Sequence, residues 1–427
     1  MKTHVLLSIG VALCNFSLST QLVFAQGGLT PPGAPAPTMK TLDQIEPRTP
    51  ITKLPYTISQ PGSYYLTTNL TANPGGIGIW ASGVTLDLMG FELDGTGGSM
   101  SGIAVAPGLA NICIRNGTVR RWNLDGVNIS SAKNCLLQDL RVSGNFRDGL
   151  VLGDASVVSR CVASSNTGNG IVGGESCSII GCVVFSNNAN GIRIDFAGVA
   201  RDCSAMRNGA TGLAAGRGSS ITDCSAAYNI FTGISAGSGS TVTGCSAYFN
   251  KGHGIAEVGG GGAPGLSVAN CTATFNDQDG FSLINGSAVK HCLSKGNQGN
   301  GIRTSGFGST ITDCSANDNV GSGIILNSWG TLTGCTASGN DIHGIHVTGY
   351  ANRIEGNSMR SNGSDGISVD ATGIKNVVVR NMSSANANFQ YRVPGIPGQP
   401  PAGANIVGPI VVDVTSATAN AWANFNP

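Results

Sequence analysis

The sequence predicts an all-β solenoid of about 13 stacked coils with N- and C-terminal caps, and three repeating columns of residues predict it. A glycine followed by an aliphatic residue or Phe recurs thirteen times between Gly102 and Gly366, at intervals of 21 to 26 residues. A cysteine stands nine residues before nine of these pairs, from Cys161 to Cys335. An asparagine follows that column five residues later, eleven times in succession, starting at Asn145. Registers this regular indicate coils that stack on one another.

The apolar positions within each repeat indicate strands. Ile221 stands three residues before Cys224 and Ala226 stands two after it, and other repeats have the same pattern. Spacing by two places alternate side chains on one face of a strand, so each repeat is expected to hold two or three short strands joined by Gly, Ser, Asn and Asp corners. Parallel strands in successive coils lie about 4.8 Å apart, so equivalent residues form ladders. We expect the asparagines to adopt left-handed corner conformations and to hydrogen-bond along the stack.

These columns resemble those of right-handed parallel β-helix proteins, the pectate-lyase-like superfamily of solenoids, over roughly Val84 to Ser384. The resemblance implies a right-handed parallel β-helix, and it implies polysaccharide as the partner. It says little about function, because one fold hosts many activities. The rival architecture is a leucine-rich-repeat horseshoe, which needs several leucines per repeat and a helical segment. Leucine is scarce here, and the repeat has no segment suited to a helix.

The segments outside the repeat divide the chain into five parts. Residues 1–25 are predicted to be a signal peptide, with Lys2 in front, an apolar run and Ala25 before the cleavage point. Residues 26–55 are predicted to be a Pro/Gly-rich linker, 56–83 an N-terminal cap, 84–390 the β-helix, and 391–427 a Pro-rich C-terminal segment and tail. We therefore expect a secreted, cell-surface or periplasmic protein that has no membrane span.

Charge excludes one class of partner. The formal net charge is +1, and removal of residues 1–25 takes away Lys2 and no acid, which leaves zero. A nucleic-acid-binding protein usually carries a basic patch or stripe, so no nucleic acid is expected as a partner. The oligomeric state is left open.

The cysteines indicate an interior column rather than a disulfide framework. Nine of the thirteen share one register, and their side chains are expected to point the same way. We predict a mostly reduced ladder of buried thiols, which burial makes unreactive. Tetrahedral metal sites need ligands that converge, so no metal site is expected in this column.

Catalytic candidates lie in the position before each Gly pair. His253 and Asp279 are neighbours in this column, as are His343 and Asp365, so each could form a His–carboxylate pair. Glu257 stands near His253, beside a glycine-rich insertion and in an otherwise apolar column. A buried carboxylate needs a partner, so Glu257 either turns outward or is satisfied locally. Corners also favour Asp, Asn, Ser, Thr and His for structural reasons alone.

Two other polar groups are weaker candidates. Asp202 and Asp223 occupy the same outward position in adjacent coils, where they could bind substrate or form an ordinary solvated face. His343 and His346 are expected on opposite faces of a strand, so they are not predicted to hold a metal. The Asp-Pro-His-Asp motif of alginate epimerases and the Asp-Asp pair of polygalacturonases are both missing from the sequence. No cofactor is predicted, and Ca²⁺ is expected only if the protein is a polysaccharide lyase.

Aromatic residues indicate a binding surface. Tyr228, Phe249 and Phe275 share one register in three successive coils, with Tyr248 beside them. A sugar could stack on such a strip, or the rings could be a buried corner stack. We therefore expect recognition of extracellular or cell-envelope polysaccharide. The alternatives are a polysaccharide lyase, epimerase or glycoside hydrolase centred on His253, Asp279 and Glu257, and a structural or adhesive surface solenoid.

Overall fold

The computed structural model describes residues 47–72, 75–96, 100–259, 265–394, 405–411 and 422–426. The signal peptide at 1–25, most of the linker and part of the glycine-rich insertion lie outside the described residues. Every pairing between strands of residues 48–426 is parallel, and the described residues contain no helix. The all-β solenoid that the sequence predicts is therefore confirmed.

Each coil carries strands on three faces. The third face is a sheet of 16 strands, so the stack has 16 turns instead of about 13. Its strands are Tyr56–Ile58, Ile77–Ile79, Ile103–Val105, Val127–Ile129, Leu150–Leu152, Ile171–Gly173, Ile192–Ile194, Leu213–Ala215, Ile234–Gly237, Ile255–Val258, Phe281–Leu283, Ile302–Thr304, Ile324–Leu326, Ile345–Val347, Ile367–Val369 and Tyr391–Arg392.

The first and second faces belong to one sheet of 32 strands, because two early strands run across the corner between them. The strands that begin on the first face are Thr49–Ile51, Gly62–Leu66, Val84–Asp87, Cys113–Arg120, Leu136–Ser143, Val157–Ser159, Ser178–Ile180, Val199–Arg201, Ser220–Thr222, Thr241–Thr243, Ser267–Ala269, Ala288–Lys290, Thr310–Thr312, Thr331–Thr333, Arg353–Glu355, Val377–Val379 and Ile406–Val407. Those on the second face are Leu70–Thr71, Glu92–Asp94, Val162–Ser164, Val183–Phe185, Ser204–Met206, Ser225–Ala227, Ser246–Tyr248, Thr272–Thr274, Leu293–Lys295, Ser315–Asn317, Thr336–Ser338, Ser358–Arg360, Met382–Ser384, Ile410–Val411 and Asn424–Phe425.

The stack begins earlier than the sequence columns indicated. Thr49–Ile51 pairs in parallel with Tyr64–Leu66, and Tyr56–Ile58 pairs with Ile77–Ile79. The segment expected to form part of a linker and an N-terminal cap therefore contains further coils of the same sheets. The first coils lack the Cys and Asn columns and keep only Gly76 of the Gly column, so their periodicity is hard to see in the sequence. Their interior is filled by fully buried aliphatic side chains such as Ile58.

Small side chains fill the interior of the coil stack, as the composition predicts. All nine ladder cysteines, from Cys161 to Cys335, are at most 3% exposed, and the twelve described cysteines are free thiols. Hydrogen bonds to the sulfurs of Cys161 and Cys203, together with burial, raise the pKa of Cys182. The thiol is the form that such surroundings favour, so the column packs as a row of small apolar groups.

The asparagine ladder is buried and continuous. In each step the amide nitrogen and the backbone N–H of one asparagine donate to the Oδ1 of the next, at 3.0 and 3.0 Å between Asn208 and Asn229. The expectation that these asparagines adopt left-handed conformations is wrong. Positive φ values occur one residue earlier, at Arg207 and Tyr228 for example, because the turn precedes the inward-pointing amide.

Candidate functional site

The residue before each Gly pair belongs to a second polar ladder. Its side chain accepts a hydrogen bond from the backbone N–H of the equivalent residue in the next coil. The distances are 3.1 Å from Asp148 N to Asp125 Oδ1, 2.6 Å from Asn169 N to Asp148 Oδ1, and 3.1 Å from Asn190 N to Asn169 Oδ1. An acceptor at this position pairs a backbone N–H that would otherwise be unsatisfied at the corner. The column therefore favours an acceptor, which explains its Asp, Asn, Ser and His residues.

His253 and Asp279 lie together at this corner, as their shared register predicts. The backbone N–H of Asp279 donates to His253 Nδ1 at 3.2 Å, and His253 Nδ1 lies 3.7 Å from Asp279 Oδ2. Because Nδ1 accepts this bond, the imidazole is neutral and carries its proton on Nε2. Burial lowers the pKa of His253, and this effect outweighs the opposing charge of Asp279. Arg303 lies 3.7 Å from the same carboxylate.

Glu257 points inward and is satisfied locally. It is 7% exposed, and its Oε2 accepts hydrogen bonds from Ile284 N at 2.8 Å and Ser287 Oγ at 2.9 Å. Within the described part of the chain, no hydrogen bond or ion pair joins Glu257 to His253 or Asp279. The carboxylate therefore supports the corner at residues 284–287, and the proposed three-residue centre is not assembled by direct contacts.

A more crowded polar cluster lies further along the same face. His343 Nδ1 is 3.3 Å from Asp365 Oδ2 and accepts the Asp365 N–H at 3.3 Å, while His346 Nε2 lies 2.7 Å from Asp370 Oδ1. The rings of His343 and His346 are 5.0 Å apart, so the expectation that they lie on opposite faces is wrong. His343 sits in a corner rather than on a strand, which allows the rings to meet.

This cluster contains a buried carboxylate oxygen with no hydrogen-bond partner. Asp365 is fully buried, and its Oδ2 accepts no hydrogen bond, although Arg392 lies 3.9 Å away. Burial, followed by the nearby His346, lowers the pKa of His343. Across the described residues, no group of three or more His, Cys, Asp or Glu is arranged to hold a metal ion.

Asp202 and Asp223 lie at the exposed corner between the first and second faces. Both have left-handed backbone conformations, with φ of 54° and 52°. Arg201 Nε lies 3.5 Å from Asp202 Oδ2, and Arg160, which holds the equivalent position two coils before Asp202, pairs with Asp139 at 2.8 Å. The arrangement is that of a solvated face with local ion pairs.

The aromatic strip, defined as Tyr228, Tyr248, Phe249 and Phe275, lies at the corner between the second and third faces. The rings of Tyr228 and Phe249 are 5.6 Å apart and nearly parallel, and those of Phe249 and Phe275 are 5.3 Å apart at 16°. Tyr248 meets the other three edge-on, at 4.5 Å from Phe249. Tyr228, Phe249 and Phe275 are 44, 43 and 42% exposed, so the strip is not a buried corner stack.

A cation borders the aromatic strip at one end. The guanidinium of Arg207 lies over the Tyr228 ring, 5.7 Å from its centre. In the coil after Phe275, Lys295 pairs with Asp318, at 3.5 Å between Lys295 Nζ and Asp318 Oδ2. A Cβ atom at Gly296 would lie 2.7 Å from Phe275 Cε1, so glycine leaves room for that ring. The strip is therefore a continuous exposed apolar surface with a positive charge over its first ring.

Sequence reasoning missed a second aromatic group, Phe307, Trp329 and Tyr350, at the corner between the third face and the first face of the next coil. The ring centres are 5.2 and 5.8 Å apart along the series. Their spacing of 22 and 21 residues matches the repeat and was a usable signal. The three residues do not share one register position, which obscures the signal. Trp329 is equivalent to Gly308 and Ala351, so Phe307 and Tyr350 stand one position earlier in their coils.

A stack of parallel coils with repeated polar corner ladders defines a parallel β-helix repeat protein. The family model described as "Right handed beta helix region" matches residues 67–198, 190–333 and 258–391. The chain belongs to this right-handed β-helix family, as the sequence columns predict.

Among solved structures, the chain is similar to the A-module of the mannuronan C-5 epimerase AlgE4 from Azotobacter vinelandii, at 17% identity and a TM-score of 0.46 over 82% of this chain and 91% of that one. It is also similar to the pectate lyase Pel9A, at 15% identity and 0.30 over 52% and 70%. Tailspike protein 3 of bacteriophage CBA120 matches at 10% identity and 0.36 over 86% and 56%. Likenesses this distant carry no argument about function. No curated protein matches the chain.

Proposed function

We propose that the protein recognises an extracellular or cell-envelope polysaccharide and that the aromatic strip contacts it. The observation that carries the proposal is the placing of Tyr228, Phe249 and Phe275 at exposed left-handed positions, with φ of 56°, 50° and 56°. A left-handed conformation costs a non-glycine residue about 1–2 kcal/mol, and bulky residues are rare there. Other coils place Gly, Ser, Asp, Ala or, at Arg207, arginine at this position. Three successive aromatic residues therefore call for a reason other than backbone preference.

Glycan binding supplies such a reason. Aromatic rings pack against the apolar faces of sugars, and the strip rises by one coil spacing per ring, so a polymer lying along the stack would meet a ring at each step. Arg207 at the Tyr228 end would favour a chain that carries carboxylates or other acidic groups. The structural alternative is that the stacked rings serve only to hold neighbouring coils together.

The substitution Phe249→Gly separates these two accounts. It removes the central ring and installs a residue that the same column already contains at Gly296 and Gly339. The lost ring contacts and the relieved left-handed strain oppose each other, so the free energy of unfolding should fall by no more than about 2 kcal/mol. Affinity for a polysaccharide should fall at least about tenfold, as expected for an aromatic anchor.

The matched control is Phe146→Ala, which removes another exposed phenylalanine several coils away. We expect this variant to bind as the unsubstituted protein does, when affinity is measured by calorimetry. Unchanged affinity in Phe249→Gly, combined with a large loss of stability, would contradict the proposal and leave the strip as a structural ladder.

A second candidate function is acid–base catalysis on a polysaccharide, as a lyase, epimerase or glycoside hydrolase. The specific observation in its favour is the partnerless Asp365 Oδ2 beside two histidines and Arg392. A neutral His343 next to a cation and a carboxylate has the components of a proton-transfer site. Any turnover should be abolished by the double substitution of His343 and His346 with glutamine, and the same test applies to His253 and Asp279.

We propose that the protein is exported by the signal peptide at 1–25. Among the described residues no helix is long and apolar enough to cross a membrane. Amino-terminal sequencing of protein recovered from the cell envelope or the medium should start at Gln26. Recovery of a chain that still begins at Met1 would contradict export by cleavage at this point.

A further inference from the structure

The group Phe307, Trp329 and Tyr350, here called the Trp329 corner, is well exposed. The three side chains are 47, 58 and 39% exposed. Backbone hydrogen bonds set their positions: Trp329 N donates to the Tyr350 carbonyl at 2.9 Å, and Phe307 N donates to Asn285 Oδ1 at 2.9 Å. The coil stack therefore presents three aromatic side chains side by side on a rigid frame.

Trp329 occupies a strained position. Its φ is 58°, and strand register places it opposite Gly308 in the preceding coil and Ala351 in the following one. Gly286 holds the same position one coil earlier. A left-handed tryptophan where glycine or alanine suffices is an outlier, and such outliers tend to occur at functional positions.

The ring faces of the Trp329 corner are more open than those of the aromatic strip. Phe307 and Trp329 are inclined at 40°, and Trp329 and Tyr350 are perpendicular. In the aromatic strip, by contrast, neighbouring rings are inclined by only 2° and 16° and cover one another in part. An indole whose face is not stacked on a parallel ring can accept the apolar face of a sugar.

Charge distinguishes the two surfaces as well. The corner segments 284–287, 305–309, 327–330 and 348–352 contain no Asp, Glu, Lys, Arg or His. Their polar groups are amides and hydroxyls, such as Asn327, whose Nδ2 donates to the Ser305 carbonyl at 2.8 Å. The absence of charge from these four segments suits a hydroxyl-rich neutral ligand, and the nearest charges in this register, Asp370 and Lys375, belong to the coil after Tyr350.

From these four observations we infer that the Trp329 corner is a second glycan-binding site, specific for an uncharged polysaccharide. The inference rests on the proposed function in that both concern polysaccharide. The two sites share no residue and lie at different corners of the coil, so either can fail without the other. The aromatic strip takes a chain with acidic groups, and the Trp329 corner takes a neutral chain.

The test uses the full-length mature protein with two probes, a soluble neutral β-glucan and polygalacturonate. Trp329→Ala installs the residue that Ala351 shows to be compatible with the position. Trp80→Ala is the matched control, because Trp80 is 65% exposed and lies in the N-terminal coils. Binding is measured by calorimetry, and tryptophan fluorescence reports whether an indole is covered.

We expect Trp329→Ala to weaken binding of the neutral glucan at least about tenfold and to leave polygalacturonate binding unchanged. Trp80→Ala should bind both probes normally, and Phe249→Gly should lose only the acidic one. The glucan should shift the emission of the unsubstituted protein to shorter wavelength, and Trp329→Ala should lack that shift.

Three binding results would overturn the inference. They are failure of the unsubstituted protein to bind the neutral glucan, unchanged glucan binding in Trp329→Ala, and loss of glucan binding in Phe249→Gly instead. Each of these results is compatible with normal binding of polygalacturonate. The proposed function can therefore hold when the inference about the Trp329 corner fails. Sedimentation of the unsubstituted protein as a dimer that Trp329→Ala dissociates would also overturn the inference, since the corner would then contact a second copy.

Discussion

The buried asparagines illustrate how single residues hold neighbouring coils together. Asn187 donates from Nδ2 to the Ala163 carbonyl and to Asn208 Oδ1, both at 3.1 Å, and its Oδ1 accepts from the backbone and side chain of Asn166. Asparagine is well suited to this role because its amide supplies two donors and an acceptor. The sequence column predicted these bonds correctly and placed the left-handed turn one residue too late.

Substitution of Asn187 with alanine should be strongly destabilising. It removes the acceptor of both the Asn166 backbone N–H and the Asn166 Nδ2 amide in the interior, at about 1–3 kcal/mol each. We therefore expect chemical denaturation to show a loss of roughly 3 kcal/mol or more. Asn188→Ala, which removes an adjacent exposed side chain, should change stability by less than about 0.5 kcal/mol. Equal effects of the two substitutions would show that the ladder is not a source of stability.

His253 and His343, which belong to the polar ladder before the Gly pairs, should make the stability of the protein depend on pH. Burial lowers the pKa of both His253 and His343 in the folded chain, so each stays neutral while the unfolded chain takes up protons. Their contribution to stability is complete above the unfolded value of about 6.5 and falls as pH drops below it. Thermal unfolding between pH 7.5 and 5 should show this loss.

The double substitution of His253 and His343 with asparagine gives the control. Asparagine keeps a side-chain acceptor for the next coil, as Asn169 and Asn300 do, but does not titrate. The variant should lose less stability than the unsubstituted protein over the same pH range. An identical pH profile in both proteins would rule out these two residues as the source.

Corners are the elements that decide what this solenoid can do. The strands are short and repetitive, whereas the corners carry the aromatic strip, the Trp329 corner and both His–Asp pairs. Register alone predicted that His253 would meet Asp279, because neighbours in one column lie one coil apart. It failed for His343 and His346, since a residue that leaves the strand no longer follows the alternation of strand faces. Glu257 is satisfied locally, one of the two outcomes expected, by hydrogen-bond partners in the corner of the next coil.

Glycine precedes 14 of the 16 third-face strands, and packing requires it there. A Cβ atom at Gly212 would lie 2.5 Å from Asn229 Nδ2 and 2.7 Å from the Gly233 carbonyl oxygen, so alanine would push the asparagine ladder apart. We expect Gly212→Ala to lower the free energy of unfolding by about 3 kcal/mol or more. Gly356→Ala meets no atom within 4 Å and has a φ of 68°, so it should cost only about 1–2 kcal/mol. A smaller effect at Gly212 than at Gly356 in urea unfolding would contradict this packing.

At the scale of the whole molecule, the sequence predicted the architecture but not the full number of coils. The Gly, Cys and Asn columns predicted parallel coils because stacking forces equivalent residues into ladders. The coils before Val84 were missed because generic aliphatic residues such as Ile51 and Leu66 fill their interior. At the other end, Ile406–Val407 pairs with the first-face strand Val377–Val379, so the stack continues into the segment expected to be a C-terminal tail.

The central claim is that the protein binds a polysaccharide, and one measurement tests it most directly. The mature protein is titrated with a panel of acidic and neutral polysaccharides, with and without Ca²⁺, while both binding and chain cleavage are followed. We predict saturable binding without cleavage and without a requirement for Ca²⁺. Failure to bind any member of the panel would contradict the claim. Cleavage or epimerisation of a bound chain would show that the protein is an enzyme and does more than bind the polysaccharide.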